Sequence, residues 1–197
     1  MNRPARYMVN GITLYRIATA PVLLFLLWRH ELHWFKWLLA ASFFTDAIDG
    51  YLARKYKVTS IAGARLDSIG DDLTVLVAII GMLVLKWEFV LREKIILLIL
   101  CGLFVIQLVL ALARYGKQSS FHTLLAKTAA VLQAAFLLLL FFLPQPLYIL
   151  FYCMAVATAL DLGEEIILVL LLPQWETDVR GLFWVVRRQR RQRAKKQ

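Results

Sequence analysis

Hydrophobic positions in this chain come in long unbroken runs separated by short charged stretches. Six runs stand out, at roughly 11–28, 34–53, 68–86, 95–114, 121–143 and 147–168. Each approaches the about 20 apolar residues that carry a helix across the hydrocarbon core of a bilayer. No stretch alternates with period two, which argues against a membrane β-barrel. No Ser/Gly-rich linker, low-complexity tract or internal repeat interrupts the series. The pattern predicts an all-α fold, an integral membrane bundle of six transmembrane helices over residues 1–173, followed by a basic tail over 174–197.

Composition strengthens this reading. Hydrophobic residues make up 61% of the 197 positions, against roughly 45–50% in soluble domains. The net charge of +10 is unevenly placed. One side of the expected bundle receives Arg3 and Arg6, then Arg54, Lys55, Lys57 and Arg65, then Arg114 and Lys117, and finally the tail from Arg187 to Lys196. The other receives Arg29, Lys36, Lys86, Arg92 and Lys94. The positive-inside rule makes the first side cytoplasmic, with both termini on it. This bias accounts for the charge without nucleic-acid binding, which so apolar a chain makes a poor reading. Arg3 and Arg6 before an apolar run imitate a signal peptide, but no small-x-small site follows near Trp28, so the first span is expected to be retained. Cys101 and Cys153 fall inside expected spans and read as buried packing residues, not a disulfide. Pro144-Gln145-Pro146 reads as a tight turn on the outer side. In the tail, Trp175, Leu182, Phe183, Trp184, Val185 and Val186 suit a membrane interface with the arginines toward anionic headgroups; the alternative is a solvated tail.

Acids inside apolar spans are costly, and in membrane spans they usually mark function. The second and third runs nonetheless carry Asp46, Asp49, Asp67, Asp71 and Asp72. Asp46 and Asp49 are three apart and Asp67 and Asp71 four apart, so each pair shares a helix face. The short basic loop 54–66 makes the two helices an antiparallel pair whose carboxylates can meet near the cytoplasmic ends. Four carboxylates together repel unless protonated or holding cations. Hard oxygen ligands suit Mg²⁺ or Mn²⁺, and a two-ion cluster clamps a pyrophosphate during displacement. A structural ion-pair network with Arg54 and Arg65 is the alternative. Gly50, Ala53 and Gly63 allow close approach of helices or a bulky ligand.

The run Asp46-Ala47-Ile48-Asp49-Gly50-Tyr51-Leu52-Ala53-Arg54, then Gly63, Asp67 and Asp71, resembles the signature D-x2-D-G-x2-A-R-x8-G-x3-D-x3-D of the CDP-alcohol phosphotransferases. The resemblance implies an enzyme of phospholipid biosynthesis that moves a phosphoalcohol group from a CDP-linked donor to a hydroxyl acceptor and releases CMP. It implies two divalent cations, Mg²⁺ or Mn²⁺, held by Asp46, Asp49, Asp67 and Asp71. Asp71 would also act as general base, and Gly50, Ala53, Arg54 and Gly63 would line the CDP pocket. A homodimer is typical of that family.

The acceptor is less legible. Asn10-Gly11-Ile12-Thr13-Leu14-Tyr15-Arg16 with Pro21 resembles the opening of phosphatidylglycerophosphate and cardiolipin synthases of this fold, and Lys127-Thr128 with Gln133 is a second partial echo. Both favour phosphatidyl transfer from CDP-diacylglycerol, with glycerol 3-phosphate as the expected acceptor and an inositol-type acceptor as the alternative. Arg114 and Lys127 are candidate contacts for an acceptor phosphate; the alternative is that they anchor the cytoplasmic side, as Lys117 is expected to do. His122 lies beside them with a structural role expected. Asp161, Glu164 and Glu165 either recognise acceptor hydroxyls or, as favoured here, lie in water beyond a helix end near Gly163. Two rivals complete the readings. Intramembrane prenyltransferases also use aspartate pairs, but place them much farther apart. A divalent-cation carrier or structural membrane protein needs acids at mid-membrane depth, whereas these cluster toward one side.

Overall fold

The computed structural model describes residues 3–56, 61–117, 121, 123–176, 179 and 181–194, with side chains at 15, 17–45, 48, 70, 73–117, 121, 123–176, 179 and 181–188. Among the described residues the chain is all-α, with eight helices and no strand. They are α1 (Arg3–Trp28), α2 (Leu32–Tyr56), α3 (Ile61–Leu85), α4 (Trp87–Arg92), α5 (Lys94–Tyr115), α6 (Leu124–Phe142), α7 (Tyr148–Leu171) and α8 (Leu182–Ala194). Each apolar run of the sequence falls on one of the long helices, with at most three residues of a run lying beyond a helix end. Two of them, α5 and α6, are long and apolar enough to cross a membrane. α7 is as long but carries Asp161, Glu164 and Glu165.

The chain divides into two compact units, residues 1–91 with 137–146, and residues 92–136 with 147–197. In the first, α1 packs against both α2 and α3, which also touch each other. α1 turns inward Thr19, Ala20, Leu23 and Leu27. α2 turns inward Phe35, Leu39 and Ser42, while Phe44 and Ile48 are exposed. α3 turns inward Thr74, Val77, Ala78 and Met82, with Leu76, Ile79 and Leu83 exposed. These are the three- and four-residue spacings of one helix face.

The end of α6 joins this unit. Phe35, fully buried, meets Phe141 edge-on with ring centroids 5.1 Å apart. Gly81 of α3 sits against the same ring: a Cβ there would lie 2.6 Å from Phe35 Cζ and 3.2 Å from Phe141 Cζ. Gly81→Val is therefore expected to cost about 1–3 kcal/mol through overpacking. The check is a lower unfolding temperature of detergent-solubilised protein, regained in part by Phe35→Leu.

In the second unit α5 packs on α7. Ala111, Phe121, Leu168, Val169, Leu172, Val179 and Val185 form its buried apolar cluster, with Leu110, Tyr115 and Leu182 packed around it. α5 stops at Gly116, whose φ of 69° suits glycine and whose N–H donates to the Leu112 carbonyl. Elsewhere the helices are apolar on the outside: Ile95, Leu98, Ile99, Val105, Ile106 and Val109 of α5 are all exposed.

Three expectations are corrected. α7 runs through Gly163 to Leu171, and Leu168 and Val169 beyond that glycine are buried. Burial of the following apolar turn keeps the helix going despite the glycine and the acids. Cys101 and Cys153 are exposed, not packing residues, because they lie on the outer sides of their helices. In the tail, Val185 is buried and Leu182 packs on the core, so neither is free to enter an interface.

Candidate active site

The motif residues sit at matching heights on adjoining helices. Asp46, Asp49, Gly50, Ala53 and Arg54 lie in the last half of α2, and Gly63, Asp67 and Asp71 in the first half of α3. Only residues 57–60 separate the two helices, so they run as a hairpin of antiparallel neighbours. At about 1.5 Å rise per residue, positions 49 and 67 stand about 10 Å from the α2–α3 connection, and positions 46 and 71 about 15 Å.

Register places the same positions on the inward lines. On α2, positions 46, 49 and 53 continue the spacing of the buried Phe35, Leu39 and Ser42, opposite the exposed Phe44 and Ile48. On α3, positions 67 and 71 continue the line of Thr74 and Ala78, opposite Leu76 and Leu83. The side chains of Asp46, Asp49, Gly50, Ala53, Arg54, Gly63, Asp67 and Asp71 lie outside the described residues. Among the described residues no group of three or more His, Cys, Asp or Glu could hold a metal ion. The chemistry of the motif's four carboxylates, hard oxygen donors, fits Mg²⁺ or Mn²⁺.

The adjoining turns are held by hydroxyls. Thr19 Oγ1 of α1 and Ser42 Oγ of α2 lie 3.4 Å apart, both buried. Ser42 Oγ also donates to the Leu38 carbonyl at 3.0 Å, and Thr74 Oγ1 donates to the Gly70 carbonyl at 2.8 Å. These small groups let α1 come close to α2 one turn from Asp46. The α2–α3 pair expected from the sequence is thus a group of three helices, with α1 packed on both. Mutual packing of α1 is a tertiary fact for which the motif offers no signal.

The expected acceptor contacts belong to the second unit. Arg114 is exposed, and its Nε donates to the Leu172 carbonyl at 3.1 Å. That carbonyl also receives Tyr115 OH at 2.9 Å, so both side chains tie α5 to the end of α7. Lys127 is exposed on the first turn of α6. Lys117 stacks on Trp175, with Nζ 3.6 Å from the ring centre. His122 lies outside the described residues.

The three acids of α7 all have polar partners. Glu165 Oε2 accepts from Gln107 Nε2 of α5 at 2.7 Å. Asp161 Oδ1 faces Thr123 Oγ1 at 3.5 Å. Glu164 Oε1 accepts the Leu182 backbone N–H at 2.8 Å. Gln133 Nε2 donates to Thr158 Oγ1 at 2.9 Å, one turn earlier on α7. The polar side of α7 is thus tied to α5, to α6 and to the start of α8. Partners 58 and 18 residues away in sequence leave no trace in local spacing.

A profile of the CDP-alcohol phosphatidyltransferases matches residues 6–162, most of the chain. The chain belongs to that family. As a CDP-alcohol phosphatidyltransferase it is similar to the CDP-diacylglycerol–inositol 3-phosphatidyltransferase of Saccharomyces cerevisiae, 40% identical over 65 residues. That match spans 33% of this chain and 29% of the yeast protein. No solved structure matches this CDP-alcohol phosphatidyltransferase.

Proposed function

We propose that this protein transfers the phosphatidyl group of CDP-diacylglycerol to a small polar alcohol and releases CMP. The observation that carries the reading is the complete aspartate signature set on the inward lines of two adjoining helices within a chain of this family. Asp46, Asp49, Asp67 and Asp71 would hold two divalent cations, Mg²⁺ or Mn²⁺, which would supply Lewis-acid polarisation at the donor pyrophosphate. Asp71 takes the proton from the acceptor hydroxyl as its oxygen forms the new bond to phosphorus. Gly50, Ala53 and Gly63 leave room for the CDP group, and Arg54 neutralises its phosphate charge.

The chain sits in a bilayer as six spans, α1, α2, α3, α5, α6 and α7, with both termini and the site toward the cytoplasm. Exposed apolar faces on these helices support that placement, because water would not tolerate so continuous an apolar surface. Donor acyl chains then stay in lipid while the CDP head enters between α2 and α3.

Two acceptors are in play. The Asn10–Arg16 pattern favours glycerol 3-phosphate. The yeast relative's name favours an inositol-type acceptor. The test is CMP release from CDP-diacylglycerol by purified protein with Mg²⁺ or Mn²⁺ across glycerol 3-phosphate, inositol phosphate, inositol, serine and phosphatidylglycerol. Release with one acceptor names the reaction. If no CDP-alcohol binds at all, the enzyme reading fails and a cation carrier takes its place.

A further inference from the structure

α8 is a short helix with two unlike sides. A helix of 13 residues is marginal on its own in water, and three devices hold this one to the second unit. Val185 is buried and Leu182 packs beside it on the α5–α7 cluster. Glu164 of α7 accepts the Leu182 N–H at 2.8 Å, placing a carboxylate where the first turn of α8 has unpaired donors and the positive end of its dipole. Gly181 makes room for this: its φ is 144°, and a Cβ there would lie 3.1 Å from Glu164 Oε1. Arg188 Nη2 adds an ion pair to Glu176, 2.7 Å from Oε1 and 2.9 Å from Oε2.

What remains outside is aromatic and basic. Phe183 is 70% exposed and Trp184 48% exposed, large apolar side chains that a soluble tail has no reason to display. Arg187 is exposed beside them. At about 100° per residue, positions 190 and 191 fall on the same side of the helix as 183, 184 and 187. Between 187 and 197 the chain has seven Lys and Arg and no acid.

We infer that the outward side of α8 is a docking surface for anionic phospholipid headgroups, with Phe183 and Trp184 entering the acyl boundary and Arg187 meeting lipid phosphates on a side that also carries the basic positions 190 and 191. This rests on the bilayer placement proposed above. Charge complementarity selects the occupant. A cationic helix edge with exposed aromatic residues matches a surface that is negative outside and apolar just beneath. Trp175, Leu182 and Val185 take no part, since they serve the protein's own packing. The Glu164 contact fixes the rotation of α8, so the helix presents this side without first having to order itself.

The experiment reconstitutes the full chain in nanodiscs of phosphatidylcholine alone or with 30 mol% phosphatidylglycerol and follows tryptic cleavage in the 187–197 region. Each basic residue at an anionic surface is worth about 1 kcal/mol, roughly fivefold. Tail half-life is expected to be at least about tenfold longer in the anionic discs at low salt, with most of the difference lost in high salt. Phe183→Ser/Trp184→Ser keeps the same charge, so any concentration of protease at the anionic surface cancels. It is expected to lose most of the protection while CMP release persists. Equal half-lives in the two discs overturn the inference, as does protection that is unchanged in the double variant. Displacement of the tail from anionic discs by a short RNA at equal phosphate concentration also overturns it, in favour of a nucleic-acid partner. If alkaline carbonate strips the chain from membranes, the bilayer placement itself falls, and this inference with it. An embedded chain whose tail is cut equally in both discs sinks the α8 surface alone.

Discussion

Asp71→Asn is expected to abolish turnover, lowering kcat by at least about 10³-fold, while KM for CDP-diacylglycerol changes little. The substitution is nearly isosteric. It keeps one oxygen able to sit beside a cation but removes the negative charge and the proton acceptor. An acceptor alcohol is a poor nucleophile until its proton leaves, and that proton must go to a group within hydrogen-bond reach as the new bond forms. Position 71 lies on the inward line of α3, one turn beyond Asp67 and one turn before the buried Thr74. If Asp71 is the base, the loss falls on kcat alone, since donor binding depends on the CDP pocket and the other three carboxylates. A matching loss in CDP-lipid binding, read by equilibrium binding of the unreacted donor, would assign Asp71 chiefly to holding cations.

Much of this molecule could be read along the chain, for reasons that also explain what could not. Each of the six apolar runs falls on a long helix to within three residues at its ends, because a span's length and its apolar composition are one and the same signal. α4 went unseen: six residues between two apolar runs give no period to detect. The aspartate spacing identified a shared side on each helix, since three- and four-residue steps fix that without any tertiary knowledge. Which helix packs on the α2–α3 pair did not follow. Thr19 and Ser42, joining α1 to α2 across 23 residues, are ordinary residues within their own helices. The acids of α7 were misread for a related reason. Gly163 beside Asp161, Glu164 and Glu165 imitates a helix end, and the distant partners Thr123, Leu182 and Gln107 make those acids tolerable within a continuous helix. α8 shows the limit of amphipathic reasoning. Leu182, Phe183, Trp184 and Val185 are all apolar, and the sequence cannot say which of them meet protein and which are left outside.

The second large effect concerns the carboxylate cluster as a whole. Metal-free protein is expected to unfold at a lower temperature in EDTA than with Mg²⁺ or Mn²⁺. Binding to the folded state alone stabilises by about 2.7 kcal/mol at one hundred times the dissociation constant. In the double variant Asp46→Asn/Asp67→Asn that stabilisation by metal should largely vanish. The decisive quantity is the stability of the variant without metal. Four carboxylates on two adjoining helices repel one another in a medium of low dielectric, so neutralising one on each helix relieves strain. The metal-free variant should then be at least as stable as the metal-free parent, though inactive. A structural network in which Arg54 and Arg65 pair with these acids predicts the reverse. Each neutralised acid would leave a cation without its partner, and the variant would be less stable with or without metal. Thermal unfolding of both proteins in EDTA and in Mg²⁺ separates the two accounts without measuring turnover. The sign of the metal-free difference decides whether the aspartates are built to hold cations or to hold the helices together.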